Sequence, residues 1–383
     1  MIPICTQIRQ VLIISASVGA GHDQAGYALK TEIDQRYPHV QTEFIDFMDS
    51  KYTFNNLLKE VYLEVLECAP SLYNFVYQIA ARRGNAQTNA KYALFKTMQH
   101  HMEDLFSKYH PDLAIFTHPF PCGAAARMRR KRGCATPLAA IVTDFSFHDM
   151  WCFHEVDEYF VATEELRQAF AGRGMPNCRV HVTGIPVRPG FGVTGDATTI
   201  RQKWGFRGDR PLVLLMGGGL GLGSIEEALL SMDQLEQPVQ AVVITGKNSG
   251  LFDSLQNIAG QMRQSVRVLG FVDNIPELMA AADILITKPG GLTVSEAMAT
   301  GLPMVFYKSL PGQEEDNSRY VTSRGIALEA DSSSQLVTTL SGLLSQRQQL
   351  HILRERSLRL GRPQSSEHII DILNARVGCF AID

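Results

Sequence analysis

Segment 288–317, KPGGLTVSEAMATGLPMVFYKSLPGQEEDN, combines a bare helix start with side chains that could bind a phosphorylated sugar. Gly290 and Gly291 stand at the end of a predicted strand, and Glu296 follows in the first turns of a helix. Free backbone N–H groups at a helix start suit a phosphate, and a carboxylate one turn later can accept hydrogen bonds from ribose hydroxyls. Amide and acid side chains suited to sugar hydroxyls come next: Gln313, Glu314, Glu315 and Asn317. The segment therefore predicts a sugar-nucleotide site.

Two more segments of the second half could contact the same donor. Residues 216–224, MGGGLGLGS, follow a predicted strand and open a helix, so their backbone can approach a diphosphate closely. They do not match G-x-x-x-x-G-K-[ST], which argues against a P-loop NTPase. After the predicted strand Val266–Leu269, the backbone could read the edge of a base. The predicted donor-binding residues are Gly218, Gly219, Leu220, Phe271, Val272, Gly290, Gly291, Leu292, Thr293, Glu296, Gln313, Glu314 and Asn317.

The first half contains its own glycine-rich helix start, Ser17-Val-Gly-Ala-Gly-His22. Gly21 allows a close approach. The positive end of the helix favours a neutral imidazole at His22, which is the form that a general base needs. Gln24 occupies the third glycine position of G-x-G-x-x-G, which argues against NAD or FAD. His22 is therefore a candidate catalytic residue.

Polar residues follow two further predicted strands of the first half, Leu113–Thr117 and Leu138–Thr143. The carboxyl ends of parallel strands share one edge of a sheet, so these residues are candidates for the acceptor side of a cleft. The acceptor-side candidates are Gly21, His118, His148 and Trp151, with Asp144 as a second candidate base. A satisfied core histidine is an equal interpretation of His118. The three or four convergent ligands of a metal site are not apparent, so no metal is predicted.

Strand and helix alternate along the whole chain. The predicted strands are Val11–Ser17, Thr42–Phe47, Leu113–Thr117, Leu138–Thr143, Tyr159–Ala162, Val180–Thr183, Leu212–Met216, Val239–Thr245, Val266–Leu269, Ile284–Thr287, Met304–Tyr307 and Ile326–Leu328. Predicted helices include His22–Arg36, Phe54–Ala81, Asn89–Tyr109, Glu164–Arg173 and Ser365–Ala375. Continuous apolar strands are typical of parallel sheets covered on both faces. The pattern predicts an α/β protein with two facing Rossmann-like doubly wound domains, 1–190 and 197–360, a linker within 184–198 and a cleft between the domains.

Composition and charge exclude several classes of protein. The chain is 45% hydrophobic and 20% charged, with a mean hydropathy of −0.05 and a net charge of −3. This balance is typical of a soluble globular protein and gives no indication of nucleic-acid binding. No apolar run reaches the roughly 18 residues of a membrane span, and the short run after Arg9 predicts a strand rather than a signal peptide. Seven cysteines without a C-x-x-C pair favour a reducing cytosol.

An aromatic stretch precedes a basic one in the first half. Residues 52–81 carry many aromatics at helical spacing, and residues 82–132 carry ten Lys/Arg against three acids, with Arg127–Arg132 basic at five of six positions. One interpretation is a core helix followed by a solvated helix face. The other is contact with an anionic membrane surface, where each cation near the surface contributes about 1 kcal/mol.

Several segments together resemble one known family closely. They are SASVGAGH at 15–22, VTDFSFHDMW at 142–151, VDEYFVAT at 156–163, TGIPVR at 183–188, GFVDNIPEL at 270–278 and segment 288–317. Over nearly its whole length the chain resembles GT-B glycosyltransferases of the monogalactosyldiacylglycerol synthase and processive diacylglycerol beta-glucosyltransferase family, glycosyltransferase family 28. Its second half also resembles the more distant N-acetylglucosaminyltransferase of lipid II synthesis. Loop 216–223 is richer in glycine than the bacterial glucosyltransferases, so side-chain contacts are not transferred there.

The resemblance implies an inverting transfer of a hexose from a UDP-sugar to the 3-hydroxyl of 1,2-diacylglycerol, giving a β-glycoside without a metal or other cofactor. Glucose is favoured and galactose is possible. His22 would be the base, with Asp144 as its partner or alternative, and Glu296 would bind the uridine ribose. Gln313 and Glu314 would hold the hexose. The helix at 363–376 would pack back on the first domain, and the protein would lie peripherally on the cytoplasmic face of the cell membrane.

Three other functions stay open from the sequence. A lipid-II-type N-acetylglucosaminyltransferase would keep the donor half and use a polyprenyl diphosphate acceptor. A UDP-sugar 2-epimerase has a similar fold but no need of the aromatic and basic stretch. A non-catalytic UDP-sugar sensor at the membrane would bind without turnover. Neither the number of sugars added nor the oligomeric state follows from the sequence.

Overall fold

Two parallel six-stranded sheets form the framework of the protein in a computed structural model that describes residues 7–17, 20–48, 98–192, 195–217, 224–309 and 312–380. The first sheet has the order β3-β2-β4-β5-β6-β7, with β2 at Gln10–Ser15, β3 at Gln41–Asp46, β4 at Leu113–Phe116, β5 at Leu138–Ile141, β6 at Glu158–Val161 and β7 at Val180–Val182. Strands β4, β5 and β6 are buried along their full length, as expected where helices cover both faces.

The second sheet repeats this plan with the order β10-β9-β8-β11-β12-β13. Its strands are β8 at Leu212–Met216, β9 at Gln240–Ile244, β10 at Ser265–Leu269, β11 at Ile284–Thr287, β12 at Met304–Tyr307 and β13 at Ala327–Ala330. The predicted α/β class with two doubly wound units is confirmed, and all twelve predicted strands occur, with ends that differ by no more than two residues. A short parallel pair, β1 at Gln7–Ile8 with β14 at Cys379–Phe380, was not predicted.

The helices connect the strands on both faces of each sheet. Within the described residues they are, in chain order, α1 at Ala20–Arg36, α2 over 98–109, α3 at Pro119–Arg132, α4 at Glu164–Ala171, α5 at Ala197–Lys203, α6 at Ile225–Met232, α7 at Ser249–Ala259, α8 at Ile275–Ala281, α9 at Gly291–Thr300, α10 at Gln313–Ser323, α11 at Ser333–Ser345, α12 at Arg347–Leu360 and α13 at Ser365–Arg376. None of the helices in these described ranges combines the length and the hydropathy that crossing a bilayer requires. The predicted helix Phe54–Ala81 lies outside the described residues.

The C-terminal helix α13 packs on the first sheet although it follows the second in sequence. Ile369, Ile370 and Leu373 lie in one buried cluster with residues of β2 and α1. Ser365 Oγ donates to the carbonyl of Ile185 at 2.8 Å, which joins the start of α13 to the segment that leads from the first sheet to the second. The chain therefore crosses between the sheets twice, and the two crossings are bonded to each other. The predicted bounds of the two domains stay predictions.

The basic end of α3 is largely occupied with intramolecular contacts. Arg129 Nη1 pairs with Asp157 at 2.6 Å, and its guanidinium also donates to the carbonyls of Cys134, Glu155 and Thr136. Arg130 pairs with Glu155 at 2.5 Å and Arg132 with Glu103 at 3.3 Å. This end of α3 leads into the amino end of β5, opposite the carboxyl edge at which binding sites form in such sheets. These contacts favour a structural role for the cluster over membrane contact.

Replacing Arg129 with alanine is expected to destabilise the protein by about 1–3 kcal/mol, because three carbonyls and one carboxylate lose a partly buried charged donor. Binding to anionic vesicles should not change. The exposed Lys131→Ala, which removes a charge from the same run, is the matched control and should leave the free energy of unfolding within about 0.5 kcal/mol. Urea unfolding with a vesicle sedimentation assay measures both effects. A loss of vesicle binding in either variant would restore the membrane interpretation of this cluster.

Candidate active site

The amino termini of α1 and α9 meet across the junction between the two sheets. A Cβ added at Gly21 in α1 would lie 3.7 Å from the Leu292 Cβ in α9. A Cβ at Gly291 would lie 2.2 Å from the Thr143 carbonyl oxygen, so only glycine permits this approach. Both helices direct their positive ends and free N–H groups to one place, which favours an anion there.

His22 lies in the first turn of α1, and hydrogen-bond partners hold one of its ring nitrogens, Nδ1. Its Nδ1 lies 2.9 Å from the Thr117 carbonyl oxygen and 2.7 Å from the Thr143 Oγ1. A carbonyl oxygen can only accept, so these partners assign the proton to Nδ1. Nε2 then keeps its lone pair. The contacts therefore select the tautomer in which Nε2 is the nitrogen that can accept a proton.

His118 lies beneath His22 rather than in the open part of the cleft. It is 4% exposed, and its ring meets that of His22 edge-on with 4.7 Å between centroids. Its Nδ1 accepts the Phe120 N–H and thereby caps α3. Burial lowers the pKa of His118 well below its ordinary value, and the nearby His22 acts in the same direction. His118 thus supports the ring of His22, and its prediction as an acceptor-side residue stays a prediction.

The first turn of α1 carries Asp23, a carboxylate that sequence reasoning missed. Asp23 accepts hydrogen bonds from the hydroxyls of Ser15 at 2.5 Å and Ser17 at 2.6 Å. Burial is the main cause that raises the pKa of Asp23, and the charge of Asp46 adds to it. The Ser17 N–H donates to Asp46 at 3.1 Å. These bonds secure the start of α1 and hence the position of His22.

Asp144 and His148 occupy the turn after β5. Asp144 is 6% exposed and accepts a hydrogen bond from Asn317 Nδ2 at 3.3 Å. His148 Nε2 lies 3.2 Å from Ser146 Oγ, and burial lowers the pKa of His148 against the opposing charges of nearby aspartates. Trp151 is 2% exposed and lies in the core of the first sheet, and its acceptor-side role stays a prediction.

Glu296 is a buried carboxylate on α9. It is 6% exposed, and burial raises its pKa to about 8, with an opposing effect from the charge of Arg188. The Arg188 Nε is itself buried without a hydrogen-bond partner among the described residues. A buried carboxylate and this buried guanidinium nitrogen thus lie close enough to interact electrostatically. Such a pair is unfavourable on its own and suits a ligand that supplies hydroxyls.

The remaining donor-side candidates fall into three groups. Gln313 and Glu314 open α10, and Lys288 Nζ pairs with Glu314 at 2.9 Å. Phe271 is 55% exposed with Lys247 Nζ 5.8 Å above its ring, and Val272 beside it is half-buried. The backbone residues Gly290, Gly291, Leu292 and Thr293 form the start of α9. Gly218, Gly219 and Leu220 lie outside the described residues.

Asn317 differs from the other donor-side candidates because its amide is already bonded. It is 1% exposed, and its Oδ1 accepts the Phe145 N–H at 2.9 Å. Its Nδ2 donates to Asp144 and, at 3.1 Å, to the Pro289 carbonyl. The side chain joins the two halves of the protein and in this arrangement presents no free group to a hexose.

Sequence reasoning passed over Thr117, Thr143 and Arg188 as functional residues. Both threonines end predicted strands of the first sheet, at the edge that also holds His22, and that shared edge could have identified them. Arg188 stands in a segment interpreted as a linker, and it also ends the family-like segment 183–188. Within the described ranges, no three His, Cys, Asp or Glu side chains converge in the manner of a metal site.

Comparisons with known proteins identify the family of this chain. Residues 22–187 match the family described as Monogalactosyldiacylglycerol (MGDG) synthase, and residues 196–359 match Glycosyl transferases group 1. The processive diacylglycerol beta-glucosyltransferase of Bacillus cytotoxicus is 30% identical over 365 residues, covering 95% of this chain and 93% of the relative. The enzyme of the same name from Bacillus subtilis is also 30% identical, over 95% of this chain and 94% of its own.

Solved structures share the two-domain fold at low identity. MurG of Acinetobacter baumannii has a TM-score of 0.62 at 18% identity, covering 96% of this chain and 99% of its own. A UDP-GlcNAc 2-epimerase from Neisseria meningitidis, solved with UDP-GlcNAc, has a TM-score of 0.61 at 13% identity, with coverages of 96% and 100%. The fold and the relatives together show that the chain is a GT-B glycosyltransferase that belongs to the monogalactosyldiacylglycerol synthase and processive diacylglycerol beta-glucosyltransferase family.

Proposed function

We propose that the protein transfers a hexose from a UDP-sugar to the 3-hydroxyl of 1,2-diacylglycerol with inversion, forming a β-glycosyl diacylglycerol. Glucose is the favoured hexose, since the relatives are named beta-glucosyltransferases. The observation that carries the proposal is the meeting of the α1 and α9 amino termini beside His22. One helix start suits the donor diphosphate, and the other holds a base for the acceptor.

The donor would lie along the carboxyl edge of the second sheet. Its diphosphate would accept hydrogen bonds from the backbone at the start of α9 and at Gly218–Leu220, which would stabilise the departing UDP without a metal. Glu296 would accept hydrogen bonds from the ribose hydroxyls. Gln313 and Glu314 would bind the hexose, and the backbone at 271–272 would read the base.

His22 would act on the acceptor hydroxyl. As the hydroxyl oxygen bonds to the anomeric carbon, the bond from that carbon to the UDP oxygen breaks, and the hydroxyl proton moves to Nε2 of His22. Attack opposite the leaving group inverts an α-linked donor into a β-glycoside. The Thr117 and Thr143 contacts support this role because they keep the Nε2 lone pair available. The fixed imidazole supplies proximity as well as basicity.

The acceptor would reach the cleft from an anionic bilayer on its cytoplasmic side, with the protein bound peripherally. The support for this is in the sequence, where aromatic residues at helical spacing in 52–81 are followed by Arg82, Arg83, Lys91 and Lys96. Aromatic residues beside cations are typical of a segment that contacts an anionic membrane surface.

The decisive test incubates the purified protein with radiolabelled UDP-glucose or UDP-galactose, with phosphatidylglycerol vesicles that contain or lack diacylglycerol. We expect a glucolipid and stoichiometric UDP only with diacylglycerol, and a β-anomeric proton signal in the product. A ladder of products would indicate repeated transfer. Conversion of the donor without acceptor would indicate an epimerase, transfer only to a polyprenyl diphosphate sugar would indicate the lipid II reaction, and binding without turnover would indicate a sensor.

A further inference from the structure

Asn317 is a buried amide whose hydrogen bonds run across the domain junction. It lies in α10 of the second domain and is 1% exposed. Two of its three bonds reach the first domain, at the Asp144 carboxylate and the Phe145 N–H. The third reaches the Pro289 carbonyl in the turn before α9. Both amide atoms are therefore used, and each bond ends at a residue beside the proposed reaction centre.

The bonds of Asn317 form one end of a continuous path to His22. Asp144 follows Thr143 directly, and Thr143 Oγ1 lies 2.7 Å from the His22 Nδ1. The Thr143 carbonyl packs against Gly291, the first residue of the proposed diphosphate helix. Phe145 stacks on Tyr320 of α10 with 5.0 Å between ring centroids. The turn that orients His22 is thus held on its other side by the donor domain.

We infer that Asn317 is a positioning residue that makes the orientation of His22 depend on closure of the donor domain. The two groups of the first domain that Asn317 bonds are polar and can return to water when the domains separate, so the contact is reversible. Closure would then fix the turn that begins at Thr143, and Thr143 Oγ1 in turn fixes the ring of His22. This role depends on the proposed transfer to a lipid hydroxyl, because without an acceptor His22 has no proton to accept. It replaces the expectation that Asn317 binds the hexose.

The two roles differ in what they predict for donor affinity. A residue that binds the hexose contributes to the binding of UDP-glucose and not to that of UDP. Its replacement therefore changes the ratio of the two dissociation constants. A positioning residue leaves that ratio unchanged and lowers kcat. The near-isosteric Asn317→Asp is informative, because an ionised carboxyl there faces the Asp144 carboxylate and the Pro289 carbonyl, whereas a protonated one can donate as the amide does.

The experiment measures kcat together with the dissociation constants of UDP and UDP-glucose for wild type, Asn317→Asp and Asn317→Ala. Asn374→Ala is the matched control, since Asn374 also bonds a backbone N–H, that of Phe380, far from the cleft. We expect kcat to fall about 10²-fold in N317D at pH 8, as displaced catalytic groups do. Both dissociation constants should stay within about threefold, and lowering the pH should recover part of the lost kcat relative to wild type.

A selective loss of UDP-glucose affinity, or a kcat within about threefold of wild type, would overturn the positioning role. If the Asn317 variants do not fold, Tyr320→Ala weakens the same junction, because the half-buried Tyr320 stacks on Phe145. A wild-type kcat in Tyr320→Ala would also overturn the positioning role. If the wild-type protein makes no glycolipid, the proposed function is wrong, whatever the outcome for Asn317. Small-angle scattering then still tests the contact, because donor should compact wild type and should not compact N317D.

Discussion

Replacing His22 with asparagine is expected to lower kcat by about 10²-fold or more, because the variant lacks the group that accepts the acceptor's proton. The asparagine amide can still donate to the Thr117 carbonyl in place of the imidazole Nδ1–H. Its local contact therefore survives while the Nε2 lone pair is lost. UDP affinity should stay within about threefold, since the donor domain is unchanged. Steady-state kinetics and calorimetric titration with UDP measure the two quantities.

His181→Asn is the matched control for this experiment. His181 is also half-buried, and its Nε2 lies 2.6 Å from Glu158 Oε2, in a cluster with Arg376. Its replacement should lower stability and leave kcat unchanged. If His22→Asn kept more than a tenth of the wild-type kcat, the imidazole would be structural, and Asp144 would become the first candidate for the base.

Replacing Glu296 with glutamine is expected to weaken UDP-glucose binding and to stabilise the free protein at alkaline pH. Hydrogen bonds to a charged group contribute about 1.5–3 kcal/mol, so the neutral amide should lose about 10- to 100-fold in donor affinity. The stability effect follows from burial, which raises the pKa of Glu296 to about 8 from an ordinary 4.5. Between these values the folded protein holds a proton that the unfolded chain has released. The contribution of Glu296 to folding stability therefore falls as the pH rises from about 4.5 to 8 and stays constant above pH 8.

The glutamine variant does not titrate, so its melting temperature should exceed that of wild type above pH 8. The difference should shrink towards pH 5, where both forms are neutral. Donor binding supplies the second measurement, because ribose hydroxyls favour the ionised carboxylate. Calorimetry in buffers of different ionisation enthalpy should detect proton release by wild type at pH 7 and none by E296Q. An unchanged KM for the donor would count against the ribose role.

Several elements of the fold follow from local sequence patterns. Strands β8, β11 and β12 are continuous apolar runs bounded by turn residues, and their observed limits equal the predicted ones. The β1–β14 pair lacks such a signal. Two residues near one terminus pair with two near the other, as in Gln7 with Cys379, and no local propensity reports a partner at that distance.

The orientation of side chains in turns was less predictable than the turns themselves. Trp151 and His148 stand three residues apart after the same strand, yet the indole enters the core and the imidazole lies beside Ser146. Arg129 shows the same limit, since a run of basic residues resembles a membrane patch until its carbonyl and carboxylate partners are known. Which face of a turn or helix end is buried depends on the elements that pack against it.

The sequence by itself determined the α/β class, the two glycine-rich helix starts and the family, because these features depend on local periodicity and on short ordered motifs. It also identified His22 and Glu296 as the residues to examine. Only the tertiary structure decided what surrounds them. His22 meets Thr143 across 121 positions, and Asn317 meets Asp144 across 173. Such partners are selected when the strand edges and the two domains come together, because a polar group buried there must find its hydrogen bonds among whatever the fold brings near.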